Sequence, residues 1–231
     1  MERQKTQLDE VDRGLYDIRD TAAPDYQVAP GLTEDIVREI SAGQNEPDWM
    51  LQLRLKSFEI FKKLEMPTWG PSLHELDMDQ IVTYVRPKAA MTDNWKDLPD
   101  DIRSTFDRLG IPKAEQEALA GVGAQYDSEV VYHNMKEQMR EQGVVYTDMQ
   151  TALREYGDLV RAHFMKLLPP SDHKFMALHG AVWTGGSFVY VPAGVSVELP
   201  LQSYFRLNAP GAGQFEHTLI ILGEGADLHF I

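Results

Sequence analysis

The last quarter of the chain alternates between apolar and polar residues with a period of two, which is typical of half-buried β-strands. The alternation begins at about Phe175 and continues to Ile231, interrupted by the turn sequences GG, PAG, NAPGAG and GEG. The alternating sets are Ser187, Val189 and Val191; Val195, Val197 and Leu199; Leu201, Ser203, Phe205 and Leu207; Phe215, His217, Leu219 and Ile221; and Ala226, Leu228 and Phe230. Such closely spaced strands restrict this region to a sheet-rich fold.

Two of these sets share a pattern that repeats along the chain. AGVSVEL and EGADLHF have the same order of small, apolar and polar residues, with Gly194 and Gly225 at equivalent positions 31 residues apart. A repeat of short strands at a fixed spacing is typical of a solenoid, although a β-sandwich would give a similar pattern. Because the second copy reaches Ile231 without a polar cap, we expect the natural chain to continue or another chain to cover this edge.

Before about residue 175 the sequence predicts mainly helices, since apolar residues recur at helical spacing. The predicted helices span LTEDIVREISAG, EPDWMLQLRLKSFEIFKKLEMP, DLPDDIRSTFDRLGIP, YDSEVVYHNMKEQMREQG and the segment from Thr147 to about Leu168. The predicted N-caps are Thr33 and Asp48, with capping boxes at Ser72–Glu75 and Thr147–Gln150, and the predicted ends are Gly43, Pro67, Gly110 and Gly143. The predicted fold class is therefore α+β: a polar arm over 1–30, a helical region over 31–170 and a sheet region over 175–231.

The composition excludes several classes of function. The formal net charge is −14, which argues against nucleic acid or an anionic membrane as the main partner, because both need clustered Lys and Arg. No apolar run approaches the ~20 residues that span a bilayer, and the charged N-terminal sequence has no signal core, so we expect a cytoplasmic protein. The chain has no cysteine and hence no disulfide, thiolate ligand or cysteine nucleophile of its own.

Two sets of polar residues are candidates for a site. None of the seven histidines forms an H-x-H or HExxH pair, so no metal-enzyme motif is present, and His217 is expected to be a hydrogen-bonded core histidine. Gln202, Tyr204, Arg206 and Asn208 alternate along one predicted strand and should share a face, opposite Leu201, Ser203, Phe205 and Leu207. A guanidinium beside an amide can hold an anion, but an ordinary solvent-exposed face has the same pattern.

Specific sequence motifs mark a resemblance to a known family. MPTWGP, LGIPKAEQEALAGVGAQYDSEVVYHN, GVVYTDMQTALREY, AVWTGGSFVYVPAGVSVELPLQSYFRLN and GQFEHTLIIL closely resemble the SufB/SufD family, the scaffold subunits of the SUF iron–sulfur cluster assembly machinery, and in particular its SufB-type members. The resemblance covers the chain from about Trp49 to Ile231. It implies an N-terminal helical region followed by the first coils of a right-handed parallel β-helix.

The resemblance also implies a function. It implies a non-enzymatic assembly scaffold acting with the SufC ATPase and with SufD or a second SufB, supplied with sulfur by a SufE/SufS or SufU-type donor. A transient iron–sulfur cluster is expected in the full-length complex, with a reduced flavin as an open option, and none on this chain alone. Arg206 and Asn208 match family positions proposed to line the path of sulfur. The chain resembles only the N-terminal half of the family, and a stand-alone β-solenoid interaction module without cluster chemistry is the alternative.

Overall fold

The computed structural model of this chain describes residues 23–108 and 119–231. Within them the helices are α1 (Glu34–Gly43), α2 (Asp48–Lys63), α3 (Asp100–Arg108), α4 (Glu137–Glu141), α5 (Met149–Glu155), α6 (Gly157–His163) and α7 (Lys174–Val182). The strands are β1 (Tyr26–Gln27), β2 (Val85–Arg86), β3 (Gly121–Tyr126), β4 (Glu129–Met135), β5 (Val145–Asp148), β6 (Ser187–Val191), β7 (Ser196–Arg206), β8 (Leu219–Leu222) and β9 (Asp227–Phe230). This mixture of helices and sheets confirms the α/β character predicted from the sequence.

Helices α1, α2 and α7 pack together around one apolar cluster. Val37 and Ile40 of α1, Phe58 of α2, and Leu178 and Val182 of α7 are all buried in it. Helix α1 begins as predicted, because the Thr33 side chain accepts a hydrogen bond from the backbone N–H of Ile36 at 3.2 Å. These helices form a layer beside the sheets.

The strands form two larger sheets and one small one. The larger sheets have the strand orders β4-β3-β7-β9 and β5-β6-β8, and β1 pairs with β2. Neighbours β3 and β7, β7 and β9, and β6 and β8 run parallel, whereas β4 and β5 are antiparallel to their partners. Buried side chains from both larger sheets meet in one cluster that includes Tyr146, Val189, Val197 and Leu201, so the two sheets face each other.

The predicted 31-residue repeat corresponds to the stacking of strands in both larger sheets. Ser196 of β7 pairs with Asp227 of β9, and Phe188 of β6 pairs with Leu219 of β8, each partner lying 31 residues further along the chain. The two repeat glycines adopt left-handed backbone angles, with φ of 73° at Gly194 and 68° at Gly225. Glycine adopts this conformation without steric penalty, which explains its place ahead of both strands.

Two predicted elements have the wrong type. The segment YDSEVVYHNMKEQMREQG is not one helix: Glu129–Met135 is strand β4, and only Glu137–Glu141 is helical before Gly143. Its β-branched and aromatic residues favour a strand once β3 is available as a partner. Conversely, the region after Phe175 begins with helix α7 rather than a strand, since Ala177 and Ala181 lie four positions apart on one buried face.

Several predicted helix boundaries also need correction. Helix α2 has Pro47 as its N-cap, with Asp48 as its first residue, and it ends at Lys63 before Pro67. Asp148 caps α5, rather than Thr147. The segment predicted to form one helix from Thr147 to Leu168 is divided into α5 and α6 at Tyr156. Ser72–Glu75 does not open a helix, because the Ser72 hydroxyl bonds to His74 instead. Gly43 is the last residue of α1, and Gly110 lies outside the described residues.

The predicted division of the chain differs from the pairing of its strands. Within the predicted arm, residues 1–22 lie outside the described part, but Tyr26 and Gln27 pair with β2. The region 31–170 also contributes strands β2 to β5, and β3 lies in the same sheet as β7. No helix in the described ranges is long and apolar enough to cross a membrane.

Candidate functional site

The polar stripe of β7 lies beside β3, and the two faces of this strand have different surroundings. Ser203 faces the second sheet, where its hydroxyl lies 2.8 Å from the Tyr146 hydroxyl and 2.6 Å from the Ser187 hydroxyl. Tyr204 packs against the opposite cluster, which includes Phe106 of α3. Because side chains alternate along a strand, Arg206 shares the face of Tyr204 and lies outside the space between the two sheets.

Asp127 fixes the end of β7 to the turn after β3. This residue is buried and has a left-handed φ of 51°. Its Oδ1 accepts hydrogen bonds from the backbone N–H groups of Asn208, at 2.8 Å, and Ala209, at 3.0 Å. Its own N–H donates to the carbonyl of Arg206 at 2.8 Å. The backbone around Arg206 is therefore held by a residue 79 positions earlier in the chain.

Asn208 orients the guanidinium of Arg206. Its side-chain Oδ1 accepts hydrogen bonds from Arg206 Nε at 3.1 Å and from Nη2 at 2.9 Å, and its Nδ2 donates to the Tyr126 hydroxyl at 2.9 Å. Asn208 is 4% exposed, whereas Arg206 is half-buried. The structure thus brings the two predicted residues into direct contact and holds a permanent positive charge in a defined orientation.

The predicted assignment of a buried apolar face does not hold at this end of β7. Phe205 is 37% exposed and Leu207 is 36% exposed, while Asn208 on the supposed outer face is buried. The reason is that the Asp127 turn covers the polar side of the strand end, which backbone alternation alone does not reveal.

This arrangement can bind an anion. A guanidinium is planar, remains charged at all physiological pH values and offers several N–H donors to an anionic group. A cavity of about 100 Å³ adjoins the network and is lined in part by Tyr126, Asp127 and Ala209. The chain has no Lys or other Arg after Lys174, so Arg206 is the sole permanent positive charge of this region of the sequence.

The opposite face of the sheet contains a short chain of hydroxyl groups. Tyr146 donates to the carbonyl of Gln202 at 2.8 Å, so its oxygen accepts from Ser203, which in turn accepts from Ser187. Burial raises the pKa of Tyr146 to about 12. A Cβ atom at Gly121 would lie 2.7 Å from the Tyr146 ring. The glycines of GVGAQY therefore make room for this tyrosine in a buried strand, and they do not form a nucleotide-binding loop.

His217 makes the hydrogen bond expected of it, but with an unexpected partner. It lies just before β8 rather than within a strand, and its Nδ1 is 2.8 Å from Nε2 of His179 on α7. Burial lowers the pKa of His179 to about 4 and that of His217 to about 3. In residues 23–108 and 119–231 no group of three or more His, Asp or Glu side chains could hold a metal ion.

Sequence analysis did not identify Tyr126 and Asp127 as part of this site. Both lie where a helix was expected, so their contact with residues near position 208 was not foreseen. The available signal was the alternation of GVGAQY, followed by the Asp-Ser turn sequence at Asp127.

Comparisons with known proteins agree in pointing to one family. The sequence profile of the SufBD protein N-terminal region matches residues 38–203. The iron-sulfur cluster assembly protein SufB of Bacillus subtilis (strain 168) is 52% identical over 216 residues, which are 94% of this chain and 46% of that protein. SufBD family proteins of Staphylococcus aureus strains MRSA252 and USA300, also named for iron-sulfur cluster assembly, are 50% identical with the same coverage. The chain thus spans about half the length of these curated relatives.

Proposed function

The chain belongs to the SufBD family, and on that premise we propose that it is the N-terminal part of a SufB-type scaffold for iron–sulfur cluster assembly. The observation that carries the proposal is the 52% identity to a SufB protein over nearly the whole chain. A stand-alone interaction module without cluster chemistry is not favoured, because the relatives are named as assembly proteins.

We further propose that the stacked strands are the first coil of a right-handed parallel β-helix. The equal 31-residue offset in the β6–β8 and β7–β9 pairs supports this arrangement, since a solenoid advances by a constant number of residues in each of its sheets. The edges of β8 and β9 then offer hydrogen-bonding groups to a following coil.

Arg206 and Asn208 are proposed to guide sulfur toward the assembly site. A persulfide or sulfide is an anion, and the guanidinium oriented by Asn208 would stabilise it during transfer. Because Arg206 lies on the Tyr204 face of β7, this segment of the path would run along the outside of the two facing sheets rather than between them.

The remaining components of the reaction are proposed to come from outside this chain. Thiolate ligands dominate iron–sulfur sites, and this sequence contains no cysteine, so other protein segments would hold the cluster. In this proposal SufC supplies the ATPase activity, SufD or a second SufB completes the scaffold, and a SufE/SufS or SufU-type donor delivers the sulfur. A reduced flavin in the full complex belongs to the same proposal.

A chimeric protein tests the assignment directly. These 231 residues would replace the corresponding N-terminal part of Bacillus subtilis SufB, and cluster formation would be followed by absorbance during anaerobic reconstitution with iron and sulfide. We expect the chimera to assemble a cluster and the 231-residue chain alone to retain none after desalting. A folded chimera without cluster formation, or stoichiometric iron and sulfide on the chain alone, would contradict the proposal.

A further inference from the structure

One cavity in the described part of the chain combines nitrogen and sulfur ligands. It has a volume of about 540 Å³ and lies between α7 and the segment that precedes β8. Three of the seven histidines of the chain, His163, His179 and His217, line it together with the thioether side chains of Met165 and Met176. The cavity is separate from the Arg206 network and takes no part in the function proposed above.

Within this cavity His179 and His217 have the geometry of a pair of ligands. Nε2 of His179 and Nδ1 of His217 are 2.8 Å apart, so one ring nitrogen donates its hydrogen to the lone pair of the other. That lone pair therefore points along the line between the two nitrogens. The ring of His217 is stacked on Phe164 at 4.0 Å, which restricts its orientation.

We propose that His179 and His217 form a two-coordinate site for a soft monovalent cation, Cu(I) or its analogue Ag(I). The cation takes the position of the shared hydrogen, and that proton moves to the other nitrogen of the same ring, so both rings remain neutral. Two metal–nitrogen bonds form, and nothing is oxidised or reduced. Cu(I) readily accepts two imidazoles in a linear arrangement, and thioethers such as those of Met165 and Met176 also favour it.

The surroundings favour a monovalent over a divalent cation. Zinc requires about four ligands, and no third His, Asp or Glu in the described ranges joins this pair. Because burial keeps the pKa values of both imidazoles low, protons do not compete with a metal at neutral pH. The half-buried carboxyl of Glu216 lines the same cavity and can offset a single positive charge.

The pair can open far enough to accept the cation. Two metal–imidazole bonds of about 2 Å in line place the nitrogens about 4 Å apart, so the rings must separate by about 1 Å. His217 belongs to neither a helix nor a strand, and the cavity beside it provides space for this movement.

Anaerobic Cu(I) titration of the 231-residue chain against a chromophoric Cu(I) chelator tests the site. We expect one Cu(I) per chain, and a loss of affinity of about tenfold or more in both His217→Asn and His179→Asn. The matched control is His163→Asn, which alters a histidine of the same cavity outside the pair and should retain the affinity of the unmodified chain. Zinc offered alone should not bind at the pair.

Nitrogen-15 spectra of the histidines in the unmodified chain keep the test independent of whether the variants fold. On addition of Ag(I), the signals of His179 Nε2 and His217 Nδ1 should shift together at one equivalent. Absence of Cu(I) binding, binding that survives loss of either paired histidine, or shifts confined to other histidines would each overturn the proposal.

Discussion

Two arginines in this molecule occupy opposite kinds of environment. Arg54 of α2 is completely buried, and its Nε and Nη2 donate to the carboxylate of Glu46 at 2.6 and 2.5 Å. It also donates to the carbonyls of Ala181 and Trp183, which follow one another at the end of α7. Arg206 of β7 is half-buried and donates to the side-chain amide of Asn208.

The difference separates a structural arginine from a candidate functional one. Arg54 connects two helices and satisfies carbonyl groups that a helix end leaves without intrahelical partners. Its removal leaves a carboxylate and two carbonyls buried. Arg206 reaches solvent at the end of a strand whose backbone is held independently by Asp127. Removal of its side chain should therefore change the chemistry of the surface more than the stability of the fold.

The largest effect is expected from Arg54→Met. This change leaves the Glu46 carboxylate buried without its cation, which should lower the free energy of unfolding by about 3–5 kcal/mol. Denaturant unfolding measures the loss. In the double variant Glu46→Gln, Arg54→Met the uncompensated charge is gone and most of the stability should return; a double variant as unstable as the single one would refute this role for the ion pair.

A smaller effect is expected from Gly121→Ala, in the strand that pairs with the one carrying Arg206. The new Cβ would meet the Tyr146 ring at 2.7 Å and the backbone carbonyl of Asn134 at 2.9 Å. Overpacking of this kind should cost about 1–3 kcal/mol in thermal or denaturant unfolding. Gly157→Ala is the matched control, since its Cβ has no neighbour within 4 Å and its stability should stay the same or rise. Equal losses in both variants would contradict this account of the glycines.

The region around Arg54 also predicts a pH dependence. Burial and, for His179, the nearby Arg54 charge hold the pKa values of His179 and His217 at about 4 and 3. The unfolded chain binds these protons near pH 6.5, so between pH 6.5 and 4 the unfolded state holds more protons and stability falls as the pH falls. We expect a loss of about 1–3 kcal/mol across this window from the pair. His217→Asn should flatten the curve of unfolding free energy against pH; an unchanged slope would rule out this contribution.

Local sequence patterns predicted some parts of this fold well. The cap at Thr33 depends on neighbouring residues alone, and the glycine-headed repeat anticipated the stacking of Ser196 on Asp227. The identity of Glu129–Met135 could not be settled locally, because its residues fit either a helix or a strand and the adjacent strand β3 decides between them.

The candidate site was predictable only in part. Alternation along β7 singled out Arg206 and Asn208, since both are polar and two residues apart. The support from Asp127 could not be predicted, because it joins residues 81 positions apart through backbone hydrogen bonds that no local pattern encodes. The exposed and buried sides of the strand end were wrong for the same reason.

The central claim is that Arg206 serves sulfur transfer rather than folding, and Arg206→Ala in the chimera with Bacillus subtilis SufB tests it most directly. Loss of its hydrogen bonds to Asn208 should cost about 1 kcal/mol or less. Cluster formation driven by a cysteine desulfurase should nevertheless fall strongly, while Arg140→Ala, which removes an exposed arginine of α4, should assemble clusters normally. We predict near-normal melting with greatly reduced assembly for Arg206→Ala; normal assembly at normal stability would contradict the account.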